Sequence, residues 1–152
     1  MSFAIPTIIR SALDDKVKAG SCYSAGVFSD SLAAGSAINI SYQTGASEAF
    51  NLEFEASGNL AYRLDVLKVT TITTGTAITP QNQFVGGTAW PGGTVKIAAT
   101  LATTTTLHSF VGIGTSPRHM ICVPPSTKVA LQLTSKVNSN ICGVTTFSYR
   151  DG

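Results

Sequence analysis

Apolar and polar residues alternate with a period of two through much of the chain beyond Gly20. In the stretch 49–56, large apolar side chains occupy one parity and polar side chains the other: Phe50, Leu52, Phe54 against Asn51, Glu53, Glu55. This period predicts an antiparallel strand with one buried face and one wet face. Similar patterns predict strands over 22–28, 36–42, 61–73, 129–133 and 144–149. The parity changes within 61–73, which predicts either a bulge or a second buried face there.

Glycine and proline clusters separate these stretches at regular intervals. Short strands spaced by about 8–12 residues, with turn residues between them, are typical of a β-sandwich or barrel. No segment after residue 20 has sustained helical periodicity. We therefore predict an all-β fold, an antiparallel β-sandwich or jelly roll of about eight strands over residues 21–152.

Residues 1–20 differ from the rest and are predicted to form an extended N-terminal arm. The first part is apolar and includes Phe3, Ile5, Pro6, Ile8 and Ile9. The stretch 11–18 is charged, and it fits either one or two helical turns with Ser11 as the N-cap or a charged turn. An apolar end of this kind either reaches a neighbouring subunit or forms an edge strand on its own domain, and the residues leave both open.

Charge is scarce in this chain. Asp, Glu, Lys and Arg make up 12% of the residues, where about 25% is usual, and hydroxyl-bearing and small residues replace them. Such a surface suits packing against copies or partners, since burying a hydroxyl costs much less than burying an ion. No acid occurs from Val66 to Arg150, and the bases there are scattered. Scattered bases indicate solvated strand edges or an acidic protein partner rather than nucleic acid.

The three cysteines, Cys22, Cys122 and Cys142, form no Cys-x-x-Cys pair. The N-terminus lacks the pattern of a signal peptide, and no run approaches the length of a membrane span. We therefore expect no membrane association, synthesis in the cytosol, and reduced, buried thiols. Cys122 in particular lies in an apolar strand-like run, where a thiol is inert.

The candidate chemical groups do not combine into a recognisable site. Neither His108 nor His119 is accompanied by a Gly-x-Ser-x-Gly nucleophile motif. The pair Glu53 and Glu55 fits a solvated strand face better than an acid–base pair. The residues that could ligate zinc lack its paired-cysteine spacing: His119, Cys122, Cys142, Cys22. We therefore predict a protein that is not an enzyme and has no cofactor or metal.

Two glycine-containing stretches are better explained by turns and packing. The stretch 112–117 begins like a phosphate loop, but it lacks the third glycine and ends at Pro117, so it is predicted to be a turn. Trp90 precedes a Pro-Gly-Gly turn and could stack on a sugar, although a core or interface anchor fits better.

Two stretches of the C-terminal part resemble the jelly-roll decoration, or cement, proteins of tailed bacteriophage capsids. Residues 75–82 follow a strand and read Gly-Thr-Ala-Ile-Thr-Pro-Gln-Asn, similar to the family's Gly-Thr-x-hydrophobic-x-Pro-x-Asn. Residues 123–150 are similar to its closing hairpin, in which a proline-containing entry, a strand and a Ser/Asn-rich turn precede a last aromatic strand. The chain departs from the family at Val129, where tyrosine is preferred. It also departs at 83–87, where the family has an Arg/Asn-rich run, and at 147–151, where the family's last strand ends in aromatic-aromatic-Glu.

The resemblance implies a mechanical function in the virion. Such proteins bind the outside of an expanded capsid as dimers or trimers and clamp neighbouring copies of the major capsid protein. The side chains expected to contact a subunit or the capsid are the arm residues named above together with Phe84 and Trp90.

Two other functions remain open from the residues. A receptor- or glycan-binding β-sandwich would need two or more exposed aromatics near Trp90. A hydrolase on a β scaffold would need His108 or His119 within hydrogen-bond reach of a carboxylate and a nucleophile.

Overall fold

The computed structural model describes residues 12–102 and 104–150. Within these residues the chain forms one short helix and thirteen strands: α1 (Ala12–Lys18), β1 (Cys22–Leu32), β2 (Ala37–Gln43), β3 (Phe50–Gly58), β4 (Tyr62–Lys68), β5 (Thr71–Thr73), β6 (Thr76–Ile78), β7 (Gln81–Asn82), β8 (Thr94–Ile97), β9 (Thr100–Ala102), β10 (Thr105–Gly112), β11 (His119–Val123), β12 (Lys128–Ser135), β13 (Asn140–Tyr149).

Eleven of the strands form two facing sheets, and eight of these eleven have jelly-roll connectivity. Sheet 1 has the order β11-β3-β13-β1-β7, and sheet 2 has the order β10-β4-β12-β2-β8-β6. Strand β1 pairs with β13, β2 with β12, β3 with β11 and β4 with β10, each antiparallel. The eight strands thus form one long hairpin rolled into two layers, which is the jelly-roll arrangement. The predicted all-β antiparallel sandwich is confirmed.

The core lies between the sheets and is built from one parity of each long strand, because successive side chains in a strand point to opposite faces. The predicted core face of β3 is confirmed, since Phe50, Leu52 and Phe54 are buried. On the predicted wet face Glu53 and Glu55 are partly covered and Asn51 is buried. Opposite the core face of β3, sheet 2 contributes fully buried side chains from its central strands: Tyr42, Leu64, Val66, Leu131, Leu133.

A buried hydrogen-bond chain joins the two sheets. The hydroxyls of Tyr42 in sheet 2 and Thr146 in sheet 1 lie 2.6 Å apart, and Thr146 also donates to the Ala25 carbonyl at 3.0 Å. Since Thr146 has one hydroxyl hydrogen, Tyr42 is the donor between them. Burial raises the pKa of Tyr42 above its ordinary value, so this hydroxyl keeps its proton.

A second buried polar group, Asn140, fastens one end of the sandwich. Its amide Nδ2 lies within hydrogen-bond distance of the Leu60 and Ala61 carbonyls and the Ser135 hydroxyl, at 3.1–3.2 Å. Its Oδ1 accepts from the Leu60 N–H at 3.1 Å. One fully buried side chain therefore ties the β3–β4 connection to the turn between β12 and β13.

The chain between β4 and β10 accounts for the difference between thirteen strands and the predicted eight or so. For the stretch 61–73 the predicted second buried face is confirmed, since Leu67 and Val69 are buried in a separate cluster with Ala130. Strand β4 ends at Lys68, and the separate strand β5 pairs with β9. Strands β8 and β6 extend sheet 2 beyond β2, and β7 extends sheet 1 beyond β1. This insertion therefore covers the β1/β2 side of the sandwich with strands of two to four residues.

In the described part of the predicted arm, the helical alternative for 11–18 is confirmed, and the charged turn is not formed. Helix α1 has acids in its first turn and lysines in its last, which complements the helix dipole, and it ends before Gly20 with φ +72°. Leu13 is buried against Cys22 and Tyr149 on the outer face of sheet 1. Helix α1 thus packs onto the sandwich because it has an apolar side chain to bury there.

Candidate functional site

The predicted contact residues fall into two groups. Phe3, Ile5, Pro6, Ile8 and Ile9 lie outside the described residues, so their predicted contact role stays a prediction. Phe84 and Trp90 both lie in the loop 83–93 that joins β7 to β8. The structure therefore places these two on one connection, beside the start of β1.

The first half of this loop is organised around Asn82. The Asn82 amide donates to the carbonyls of Gly20 and Thr88, at 2.8 and 3.0 Å, and its Oδ1 accepts from the Phe84 N–H at 2.9 Å. The Gly87 N–H closes a turn by donating to the Phe84 carbonyl. Held in this way, the tip exposes Phe84 by 53% and Val85 by 95%. We call Phe84 and Val85 the loop tip.

Trp90 has a different role, since it closes one end of the core. Its ring contacts Tyr23 and Phe50 edge-on, with centroids 5.2 and 5.6 Å apart, and its Nε1 donates to the Gly93 carbonyl at 3.0 Å. Tyr23 and Phe50 are buried, so the rings touching Trp90 do not form an exposed stacking platform. A small cavity of about 130 Å³ remains beside the three rings. Trp90 thus packs as a core anchor, one of the two roles predicted for it.

An open groove of about 560 Å³ lies where β3 begins and β11 ends. Its walls are mainly apolar, with Phe50, Pro124 and Pro125 among them, and Arg150 lies at its rim together with Cys122. The Cys122 thiol donates to the Asn51 Oδ1 at 3.0 Å.

The expectation that all three thiols are buried is wrong for Cys122, which is exposed. Strand β11 lies at the edge of sheet 1, and Cys122 pairs with Asn51 on the outer face while Val123 faces the core. Cys22 and Cys142 are buried as predicted. Burial raises the pKa of Cys22 to about 11, with the charge of Glu53 adding to the effect, and burial also raises the pKa of Cys142.

We expect a thiol-alkylating reagent to modify Cys122 alone in the folded protein. Only a thiolate attacks the reagent, and burial both blocks access to Cys22 and Cys142 and keeps them protonated. Intact-mass analysis after brief treatment with iodoacetamide should show one adduct in buffer and three in denaturant. The variant Cys122→Ser should show none in buffer. Rapid modification of Cys22 in the native protein would contradict the packing of α1 on sheet 1.

The two histidines meet at the other side of the molecule, between the edge strands β10 and β11. The His119 ring lies 4.7 Å from Phe110 and 5.6 Å from His108, measured between ring centroids, and it stacks on Phe54 at 5.9 Å. Within residues 12–102 and 104–150, neither ring has a hydrogen bond or ion pair with a carboxylate or nucleophile. Nor do three or more potential metal ligands cluster there.

The carboxylates of β3 lie on the wet face of sheet 1, as the alternation indicated. Glu55 lies 3.9 Å from the Arg118 guanidinium, which also sits 4.9 Å from the Phe147 ring centroid. An exposed pair at this distance contributes little to stability. Neither the groove nor the cavity beside Trp90 is lined by these groups.

One feature escaped prediction, namely the exposure of β10. Leu107 and Val111 are 53% and 60% exposed, and Ile113 just beyond the strand is 71% exposed. A hydrophobic pattern alone does not say whether a strand lies at the edge of a sheet. The one signal in the sequence for an unusual exposed surface here was the absence of Asp, Glu, Lys and Arg from the whole stretch 97–117.

No helix in the described part of the chain is both long and apolar enough to cross a membrane. Comparison with models of known protein families gives no match, and no curated protein shows significant sequence similarity to the chain.

Proposed function

We propose that this chain is a structural protein of a virion, a decoration or cement protein that binds the outer surface of a phage capsid and clamps neighbouring subunits. The partner is the major capsid protein, and the chain acts as a dimer or trimer after synthesis in the host cytoplasm. The proposal starts from the resemblance of residues 75–82 and 123–150 to that family. Fold alone would not support it, because jelly rolls occur in proteins of many functions.

The observation that carries the proposal is the character of the surface built by residues 69–117. These residues form the insertion and strand β10, and Lys96 is their only Asp, Glu, Lys or Arg residue. Threonines line much of this surface, as in β5 and the start of β10. Hydroxyls can be covered by another protein at far lower cost than ions. A large surface of this composition supports a function in extensive protein–protein contact.

The loop tip, Phe84 and Val85, is the specific contact that we propose for the capsid surface. The loop tip presents two apolar side chains on a turn that Asn82 holds in place, so little conformational entropy is lost when it docks. One small contact of this kind is weak. Repetition over a symmetric shell raises the overall strength by avidity when each oligomer engages several sites.

The test is binding to expanded, DNA-free shells assembled from the major capsid protein encoded by the same genome. We expect saturable co-sedimentation and greater resistance of the shells to heat. The double substitution Phe84→Ser with Val85→Ser is expected to weaken binding by about tenfold or more, because apolar anchors dominate interface energies. Deleting residues 2–10 is also expected to weaken binding, if the predicted arm contacts a neighbour.

Ile141→Ser is the matched control, because Ile141 is 57% exposed and lies at the far end of β13 from the loop. It should bind like the wild type. Failure of the unmodified chain to bind the shells at any concentration would refute the proposal. Specific retention on a glycan array, lost on changing Trp90, would favour the glycan-binding function instead.

A further inference from the structure

The edge strands on the two sides of the sandwich differ in length. On one side, the sheets end in β6 and β7, which have three and two residues. Very short edge strands are a common protection against unwanted strand pairing. On the other side, sheet 2 ends in β10, which has eight residues and, among residues 12–102 and 104–150, pairs only with β4. The described part of the chain therefore protects one side of the sandwich and leaves a long backbone edge unpaired on the other.

Strand β10 also lacks the usual side-chain protection. It contains no lysine, proline or acid, and apart from Phe110 and Gly112 its residues are exposed. The pairing of β10 with β4 is interrupted by one bulge, between Thr106 and His108, and is regular from His108 to Gly112. In an antiparallel edge strand, alternate residues direct their N–H and C=O groups outward, ready to pair with another strand.

We propose that β10 is where two copies of the chain associate, edge to edge and antiparallel, so that sheet 2 continues across a two-fold axis. A two-fold contact brings each patch against itself. Like charges would repel there, and β10 has no Asp, Glu, Lys or Arg that would repel its own copy. Antiparallel pairing also lets one strand satisfy the outward groups of its twin with the same residues.

The size of the edge fits a modest dimer. Eight residues at about 3.4 Å each give a length of about 27 Å. Strand β11 ends sheet 1 on the same side, joined to β10 through the histidine and Phe110 rings. Two sheets about 10 Å apart, with their side chains, make this edge about 20 Å wide. The pair would bury on the order of 1,100 Å² in total, near the lower limit for a specific interface.

The biological use of this contact rests on the proposed function, in which the oligomer clamps a shell. Self-association itself does not depend on any capsid. It can therefore be measured on the purified full-length chain, and the two proposals can fail separately.

The experiment compares the mass in solution of the wild type with the variants Leu107→Lys and Val111→Glu, by sedimentation equilibrium over a range of concentrations. The wild type is expected to approach twice the chain mass of 15.8 kDa. Each variant places like charges near each other across the axis and should weaken the dimer by about 100-fold or more. Ile141→Glu, at an equally exposed apolar residue away from the edge, should leave the dimer intact.

Circular dichroism and thermal unfolding establish that each variant is folded, and the residues changed are more than half exposed. Hydrogen exchange supplies an independent readout, since the outward amides of β10 should be protected only at concentrations where the dimer forms. A wild type that stays monomeric would overturn the proposal. A dimer of unchanged stability in both the Leu107→Lys and the Val111→Glu variants would also overturn it. So would a wild-type dimer in which the outward β10 amides exchange freely.

Discussion

Asn140→Asp is expected to destabilise the fold by about 3–5 kcal/mol, the largest effect we expect from an isosteric change in this chain. Nδ2 of Asn140 is directed at two backbone carbonyls and a hydroxyl in a fully buried position. A carboxylate there would face the carbonyls of Leu60 and Ala61 as acceptor against acceptor, with no water to solvate its charge.

Urea unfolding followed by circular dichroism measures this loss, and the thermal midpoint should fall by about 10 °C or more. Asn138→Asp is the control. Asn138 is exposed, and its Oδ1 only accepts a hydrogen bond from Ala34, which a carboxylate also does. That variant should stay within about 0.5 kcal/mol of the wild type. Equal losses in the two variants would contradict the role assigned to Asn140.

Mutating either member of the buried Tyr42–Thr146 hydroxyl pair should lower the stability of the protein, but by different amounts. Thr146→Val is expected to destabilise the protein by about 2–3 kcal/mol, because it leaves the Tyr42 hydroxyl buried without an acceptor. Tyr42→Phe is expected to lose only about 1 kcal/mol, since Thr146 still donates to the Ala25 carbonyl.

Combining the two substitutions should cost less than their sum by about 1 kcal/mol, because the hydroxyl stranded by the first is removed by the second. Chemical unfolding of the four proteins in the cycle gives the coupling free energy. Additive losses would mean that the two hydroxyls do not interact, and the cross-sheet hydrogen bond would then be wrong.

The long strands of the sandwich could be predicted because each buries one face. In β3 and β12, every second side chain enters the core, so apolar residues recur at every second position of the sequence. The five short strands of the insertion have no such period. Their two to four residues are strands because β1, β2 and one another offer partners, and those partners are far away in sequence.

The same reasoning explains the error at Cys122. The run 120–123 is apolar at every residue, which is typical of a strand covered on both faces. Strand β11 lies at an edge with its outer face open, so Met120 and Cys122 are exposed. Whether a strand is central or at an edge depends on the order of strands in the sheet, which local pattern does not encode.

The candidate contact loop was predictable only in part. Phe84 and Trp90 could be named as apolar residues among turn residues, but their division into an exposed tip and a core anchor could not. That division depends on Asn82 bonding to Gly20, 62 residues earlier, and on Trp90 packing against Tyr23. Contacts at such separation leave no trace in the residues next to the loop.

The pairing of β1 with β13 has a consequence for biosynthesis. Ser148 donates to the Tyr23 carbonyl across a sequence separation of 125 residues, and β13 also pairs with β3 in sheet 1. Strands β1 and β3 therefore have no shared partner until β13 has left the ribosome. Until then they expose apolar faces during translation, when they are open to chaperones and to aggregation. Sheet 1 is therefore expected to form only after β13 has been synthesised, completed by this strand rather than nucleated by β1.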